Sequence, residues 1–450
     1  MSHRFSRYVW LGAIGLLSMC LPYSAGAEDG YLIGIGKADI TPEYPIRLNG
    51  FGFRRDESQG ISQHIWAKAL AIRYRDEAPI LLLAIDSLGV RSTLVDEVVR
   101  RLNAKSPIPR ENVALTYTHS HTTPKVSGVC DNIFSSPIPE PHQAHIDQYT
   151  RELTNAVERA ALEALGSMRS GQLAWGVGRH GLALNRRTAG GPVDHALPVL
   201  TVRDADGTLR AVYFSYACHC VTLSHNQISG DWAGYAQEAV EKNHPECVAL
   251  ASIGAGSDSN PASGVVGDRV EVAAAQGTEM AAEIDRVLQQ PMQPITGSIV
   301  AKLNTIQLPL NDLPTREQWE ALAATDTPKG YNAKTQLARL DRGEQLLQAV
   351  DYPIQTFAFG DRLLMVFLAG EVCVDYSLRL KSELDSDRLW VNAYSNDFAC
   401  YIPSERLVRE GGYGGGEETP YFALPTTLKA GLEQLIIDEV RRQTPPTFVH

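Results

Sequence analysis

Two histidines separated by one residue, His119-Ser120-His121, follow the apolar run Val113-Ala114-Leu115-Thr116-Tyr117-Thr118. That run predicts a buried strand, on which residues two apart share a face. Both imidazoles are then expected side by side where the chain leaves the core. Adjacent neutral imidazoles suit a transition metal; taken alone, the pair reads equally well as one core histidine and one exposed one. A further imidazole, His219, lies in Phe214-Ser215-Tyr216-Ala217-Cys218-His219-Cys220, where strand alternation turns Cys218 and Cys220 away from the histidine and leaves a single nitrogen ligand. Glu371 follows Phe367-Leu368-Ala369-Gly370 and precedes Val372-Cys373, so its carboxylate needs a compensating partner, a metal or an ion pair. Asp231, in Ile228-Ser229-Gly230-Asp231, stands where a helix begins and reads as a cap or as a site residue.

The elements that must position these groups repeat one pattern: an apolar run ending in polar residues, with helical periodicity between runs. Ile80–Ile85 leads to Asp86, Val212–Ala217 to His219, Val248–Ala251 to Gly254, Leu363–Leu368 to Glu371 and Leu389–Val391 to Tyr394. Helical spacing is clearest over His145–Leu165, Val270–Leu288, Lys334–Val350 and Thr427–Arg442. The alternation predicts an α/β fold, one large domain with mixed sheets and flanking helices, its functional residues gathered at strand ends. Two loops, Ser127–Gln143 and Gly411–Gly416, have the Pro, Ser and Gly content of turns and read as surface loops or covers for a site.

Arg4 and Arg7, the apolar stretch Val9–Met19 and Ala25-Gly26-Ala27 have the layout of a secretory leader, so residues 1–27 are read as a signal peptide and the domain as 28–450. Lipoprotein processing at Cys20 fits less well, because Met19 is bulky for a small-residue cleavage site. The expected location is secreted or periplasmic. The formal charge is -11, and losing the two leader arginines makes the remainder more negative still, which argues against nucleic acid as a partner. Cys130, Cys218, Cys220, Cys247, Cys373 and Cys400 are too sparse for a disulfide scaffold, although export allows some to pair, and they contain no CxxC zinc-ribbon pattern.

Taken in order, Gly36-Lys37-Ala38-Asp39-Ile40-Thr41-Pro42, Thr118-His119-Ser120-His121, His219 with Ile228-Ser229-Gly230-Asp231 and Gly234-Tyr235, Gly256-Ser257-Asp258-Ser259-Asn260-Pro261, Gly370-Glu371, and Tyr394 with Tyr401-Ile402-Pro403-Ser404 resemble the neutral ceramidase family. Its members are zinc-dependent amidases that cleave the N-acyl bond of ceramide. The resemblance implies that His119, His219, Glu371 and Tyr401 are zinc ligands. It implies that His121 faces the substrate and that Arg186, in Asn185-Arg186-Arg187, contacts it. Ser259 is the positional match to the family's serine beside the scissile bond, whether contact or nucleophile. Here the acidic residue of that loop is displaced and Asn and Pro are exchanged, so the turn is expected to serve either through backbone amides as an oxyanion site or as a tight turn that satisfies itself.

Family members carry a C-terminal immunoglobulin-like domain, whereas the segment after Thr427 has no series of short alternating strands, so the catalytic domain is expected to stand alone. The implied reaction is metal-assisted hydrolysis of a small-molecule or lipid amide, with Trp66, Phe51, Phe53, Ile133 and Phe134 as core residues or as walls of an apolar trench. No transmembrane segment is expected in the mature chain, and peripheral membrane contact stays open. The alternatives are a zinc hydrolase of another amide or ester, and a noncatalytic lipid- or anion-binding protein on the same fold.

Overall fold

Runs whose alternate side chains are both buried become the central strands of two stacked sheets. The computed structural model describes residue 1 and residues 30–450, so the expected leader and Cys20 lie outside the described residues. In the first half of the chain the strands are β1 (Tyr31–Asp39), β2 (Trp66–Tyr74), β3 (Ile80–Ile85), β4 (Val113–Tyr117), β5 (Arg169–Arg179), β6 (Ala183–Asn185), β7 (Ala196–Arg203), β8 (Leu209–Tyr216) and β9 (Val248–Ile253). Then follow β10 (Ser259–Pro261), β11 (Gln293–Ile295), β12 (Ile299–Pro309), β13 (Ala349–Phe359), β14 (Leu363–Leu368), β15 (Glu371–Val372), β16 (Leu389–Asn392) and β17 (Tyr401–Ile402). The large sheet has the order β4-β3-β2-β1-β5-β7-β8-β9, with β11 on β5; the smaller one runs β12-β13-β14-β16; β6 pairs β10 and β15 pairs β17. The helices are α1 (Ser92–Asn103), α2 (Glu140–Gly166), α3 (Asp231–Asn243), α4 (Val270–Leu288), α5 (Arg316–Ala323), α6 (Pro328–Asp341), α7 (Val374–Glu383), α8 (Glu405–Glu410) and α9 (Leu432–Gln443).

Period two assigns each strand face to a different layer. Leu363, Met365 and Phe367 of β14 pack with Ile80, Leu82, Tyr213 and Trp175 between the two sheets. Their neighbours Leu364, Val366 and Leu368 pack with Ile436, Ile437 and Val440 of α9. On the large sheet, Leu81, Leu83 and Ile85 face Val95, Val98, Ile146 and Leu153 of α1 and α2. The architecture is therefore helix, sheet, sheet, helix, an α/β fold with mixed sheets, as the alternation of patterns predicts. Burial on both faces explains why β3, β8 and β14 are apolar throughout.

Within the two large sheets three strand pairs are parallel among the described residues, and their matched ends lie together. Ile85 aligns with Tyr117, Tyr216 with Ile253 and Phe367 with Asn392, so His119, His219, the turn after β9 and Glu371 all follow carboxyl ends. The amide of Tyr117 donates to the Tyr394 carbonyl and that of Ala393 to the Ile253 carbonyl, which ties the two sheets at that end.

Helix boundaries differ from the periodicity at two places. The pattern over Lys334–Val350 divides, because Gly343 takes φ 76° just beyond the end of α6 and Ala349 already opens β13. Helix α9 begins at Leu432, after Gly431 at φ 99°. All six cysteines of the described residues are free and buried, so none of the allowed disulfides forms there. No helix among the described residues is long and apolar enough to cross a membrane.

Candidate metal centre

His119 reaches the centre by a route that strand alternation does not anticipate. Strand β4 stops at Tyr117, and His119 itself takes φ 53°, the left-handed region that non-glycine residues avoid. The turn sends Ser120 Oγ to the Ser229 carbonyl and leaves the His119 and His121 rings edge to face, with centroids 4.9 Å apart. The two imidazoles are adjacent as expected, but through a turn and not through a shared strand face. His219 likewise lies beyond β8, and its ring stands 4.9 Å from that of His119.

Second-layer hydrogen bonds orient two of the three rings. His119 Nδ1 lies 2.8 Å from the Leu88 carbonyl and His219 Nδ1 3.0 Å from the Gly256 carbonyl. A carbonyl only accepts, so each Nδ1 carries the proton and each Nε2 turns a lone pair inward. Glu371 Oε2 meets those lone pairs, 3.0 Å from His219 Nε2 and 3.4 Å from His119 Nε2. Burial, together with nearby Arg186, pushes His219 down to about 4, which keeps it neutral near pH 7. Burial opposes ionisation of Glu371, so its carboxylate needs a counter-charge that two neutral imidazoles do not supply. Lone pairs and a carboxylate oxygen thus converge with no proton between them, an arrangement that a cation stabilises. Two neutral imidazoles and a carboxylate fit zinc, so the residues present suit the metal that the sequence implies.

The fourth expected ligand is brought in by pairing. Glu371 of β15 aligns directly with Tyr401 of β17, so the carboxylate and the phenol are neighbours on a two-stranded parallel ladder. Arg186 Nη2 donates to Tyr401 Oη at 2.8 Å; burial pushes the phenol well above its ordinary value, and the guanidinium works against that shift. The consecutive arginines divide their work. Arg187 donates to the Tyr413 and Gly411 carbonyls and pins the glycine-rich loop. The Glu418 carboxylate accepts from the Gly414 and Gly416 amides, so that loop is a fixed wall of the site.

His121 differs from the other two histidines. Its Nε2 is 3.2 Å from His119 Nε2, and together His119, His121 and His219 form a group able to hold a metal ion. Its Nδ1, however, is buried with no hydrogen-bond partner, so nothing in the protein sets its tautomer. Burial and the neighbouring His119 lower its basicity well below that of a free histidine. Ser259 Oγ and Tyr394 Oη are also buried without partners. Such a concentration of unsatisfied polar atoms is typical of a place built for a ligand.

The Gly256–Pro261 turn follows the self-satisfied alternative. Its amides are spent internally or on β15, Ser259 on the Gly256 carbonyl and Ser257 on the Val372 carbonyl. Asp258 accepts from the Val374 amide and from Asn185. The turn serves the site through two carbonyls, Gly256 for the His219 ring and Ser259 for the His219 amide. A Cβ on Gly256 would lie 2.5 Å from the Ala217 carbonyl carbon, so the close approach requires glycine. Gly256→Ala is expected to move the turn off His219 and weaken metal binding about 10- to 100-fold, the usual effect of losing a second-layer partner; titration against a competing zinc chelator measures it. Asp231 acts as structure: its carboxylate accepts from the Thr222, Leu223 and Trp232 amides and holds the start of α3, and burial raises it to about 6.

Residues 31–251 match the family model described as neutral/alkaline non-lysosomal ceramidase, N-terminal. The chain belongs to the neutral/alkaline non-lysosomal ceramidase family. Among solved structures, this ceramidase-family chain is similar to neutral ceramidase from Pseudomonas aeruginosa, with 20% identity and a TM-score of 0.72, over 93% of this chain and 75% of that one. It is also similar to a ceramidase complexed with C2, with 19% identity and a TM-score of 0.71, over 93% and 76% of the two chains. These likenesses establish the fold. No curated protein matches its sequence.

Several groups around the centre of this ceramidase-family protein were not singled out as site residues by sequence. Tyr413, inside the glycine-rich loop, packs its ring 5.5 Å from Tyr401 and lies under Arg186. Phe398 and Tyr394 flank His119 at 5.4 and 4.6 Å. Arg54 is buried with no carboxylate and donates to the Asn49, His121 and His225 carbonyls, and its guanidinium lies over Phe51, whose ring contacts His121. The signal available in the sequence was the Phe51–Arg55 cluster of aromatic and basic residues, which nothing local ties to a histidine sixty-odd positions later. Of the candidate trench residues, Phe53, Ile133 and Phe134 line one cavity and Phe51 packs on His121, whereas Trp66 lies under Lys37 beside His64.

Proposed function

We propose that this chain is an exported, zinc-dependent amidohydrolase that cleaves an N-acyl amide, ceramide to sphingoid base and fatty acid or a related amide. The observation that carries the reading is the convergence of His119 Nε2, His219 Nε2 and Glu371 Oε2 within 3.0 to 3.4 Å, with both histidine tautomers set by carbonyls. Family membership and the shared fold support the reaction class.

In this reading His119, His219, Glu371 and Tyr401 hold the zinc. Bound there, zinc supplies Lewis acidity, lowering the pKa of water toward neutrality and polarising an amide carbonyl. His121, neutral at the working pH because of its burial, takes the proton released as water attacks and passes it to the departing nitrogen when the C–N bond breaks. Arg186 faces the oxygen on which negative charge develops and holds Tyr401 in place through its hydrogen bond. Ser259 Oγ, enclosed and unpartnered, is a contact for the scissile amide. Residues 1–27 direct export, and 28–450 form the catalytic domain.

Elemental mass spectrometry of the purified chain, with hydrolysis of short- and long-chain N-acyl sphingosines before and after chelation, tests the reading. Near-stoichiometric zinc and chelator-sensitive acyl release are expected. Zinc without release from these substrates would redirect the substrate to another amide or ester. Absence of metal after reconstitution would overturn the ligand assignment and favour a binding protein on this fold.

A further inference from the structure

A second feature adjoins the centre along one short segment. Gly50 takes φ 91° and lies so close to the His121 ring that a Cβ there would be 2.5 Å from Nδ1. Phe51 meets the His121 ring edge to face with centroids 5.0 Å apart and packs at a tilt against Phe53 at 5.2 Å. Gly52 and Phe53 then form part of the wall of an open cavity of about 530 Å³, which Ile133, Phe134, Tyr331 and Tyr421 also line. The cavity is thus one aromatic ring away from the histidine assigned to proton transfer. Phe53 is 68% exposed, so most of its ring is apolar surface left open beside its contact with Phe51.

Charge distinguishes this cavity from a plain lipid pocket. Arg55 and Lys334 both line it, and neither has a hydrogen-bond or ion-pair partner among the described residues. One acid, Asp326, shares the lining; it precedes the first turn of α6, where the helix end offsets a negative charge. In a chain of formal charge -11, two unpaired cations on one cavity wall select for an anion. The aromatic and aliphatic walls select for methylenes next to it. A neutral sphingoid head would leave both cations without a counter-charge.

We infer that this cavity binds the non-acyl arm of the substrate and that this arm ends in an anionic group, a carboxylate, phosphate or sulfate. The preferred substrate is then an anionic N-acyl amide, cleaved ahead of neutral ones such as ceramide. The inference rests on the amidase reading above, which it narrows. It concerns residues outside the metal centre, so binding can be measured without turnover.

Two measurements on the metal-loaded full chain test it. Calorimetry compares octyl phosphate, octyl glucoside and inorganic phosphate, each below any micelle threshold, in the parent and in the Arg55→Ala/Lys334→Ala variant. Octyl phosphate is expected to bind at least tenfold more tightly than the other two, more weakly as salt rises, and at least tenfold more weakly in the variant. Kinetics compares N-lauroylglycine with N-lauroylethanolamine, which share the acyl chain and differ at the terminal charge. The kcat/KM ratio is expected to favour the glycine amide at least tenfold and to collapse in the variant, whose circular dichroism and metal content report folding. Equal binding of octyl phosphate and octyl glucoside, or a preference that survives in the folded variant, would overturn the cavity assignment. Binding as expected with neither amide cleaved would overturn the amidase reading and leave the anionic cavity standing.

Discussion

His219→Ala is expected to remove most of the bound zinc and to lower amide hydrolysis at least a thousandfold, while circular dichroism shows the fold retained. His219 is fully buried and its two ring nitrogens make polar contacts, Nδ1 to the Gly256 carbonyl and Nε2 to the Glu371 carboxylate. Deleting the ring leaves the buried Glu371 with His119 as its remaining imidazole neighbour, and an uncompensated buried carboxylate costs several kcal/mol or takes up a proton. Either response spoils the ligand set. The sheets should survive, because the backbone amide of His219 keeps its bond to the Ser259 carbonyl and the Trp232 indole still donates to the His219 carbonyl. Metal analysis and an amidase assay on the same preparation check the result. Full activity in a verified metal-free variant would sink the zinc mechanism.

His121→Ala is expected to have the opposite signature on metal and a similar one on turnover: zinc content unchanged, kcat reduced about 10²- to 10⁴-fold, the range for removing a general acid–base group. The asymmetry among the three imidazoles is the reason. His119 and His219 each donate Nδ1–H to a carbonyl, the device that fixes a ligating histidine, whereas His121 Nδ1 has no acceptor and can exchange protons without breaking a structural bond. Loss of zinc in this variant would instead make His121 a third imidazole ligand, an arrangement that its 3.2 Å approach to His119 Nε2 also permits. Metal content separates the two roles, and activity alone would not.

Much of the architecture is a local consequence of sequence. The continuous burial of Ile80–Ile85 and Leu363–Leu368, the helix at Val270–Leu288 and the polar residues after each strand follow from unbroken apolar runs, helical spacing and propensity. The His119-Ser120-His121 spacing, the isolated His219 and the carboxylate in an apolar stretch at Glu371 marked the chemistry, because imidazoles and a buried acid have few other uses together. The stop at Gly343 inside the helical spacing of Lys334–Val350 is also local, a single glycine at φ 76°.

What only the tertiary structure decided is how those groups meet. His219 and Glu371 are 152 residues apart, and their 3.0 Å contact depends on two parallel strand pairs in different sheets ending at the same level. The positive φ of His119, the ladder that pairs Glu371 with Tyr401, and the Leu88 and Gly256 carbonyls that orient two rings are set by paths between elements, which no local pattern encodes. The same holds for Arg54, whose three carbonyl acceptors come from three separate loops, and for the cavity that joins Phe53 to Lys334. Residue types and their periodicity determined which chemistry the chain can do and which strands carry it. Packing of the two sheets against each other determined which lone pairs face which, because a metal centre is defined at a few tenths of an ångström and local propensity is not.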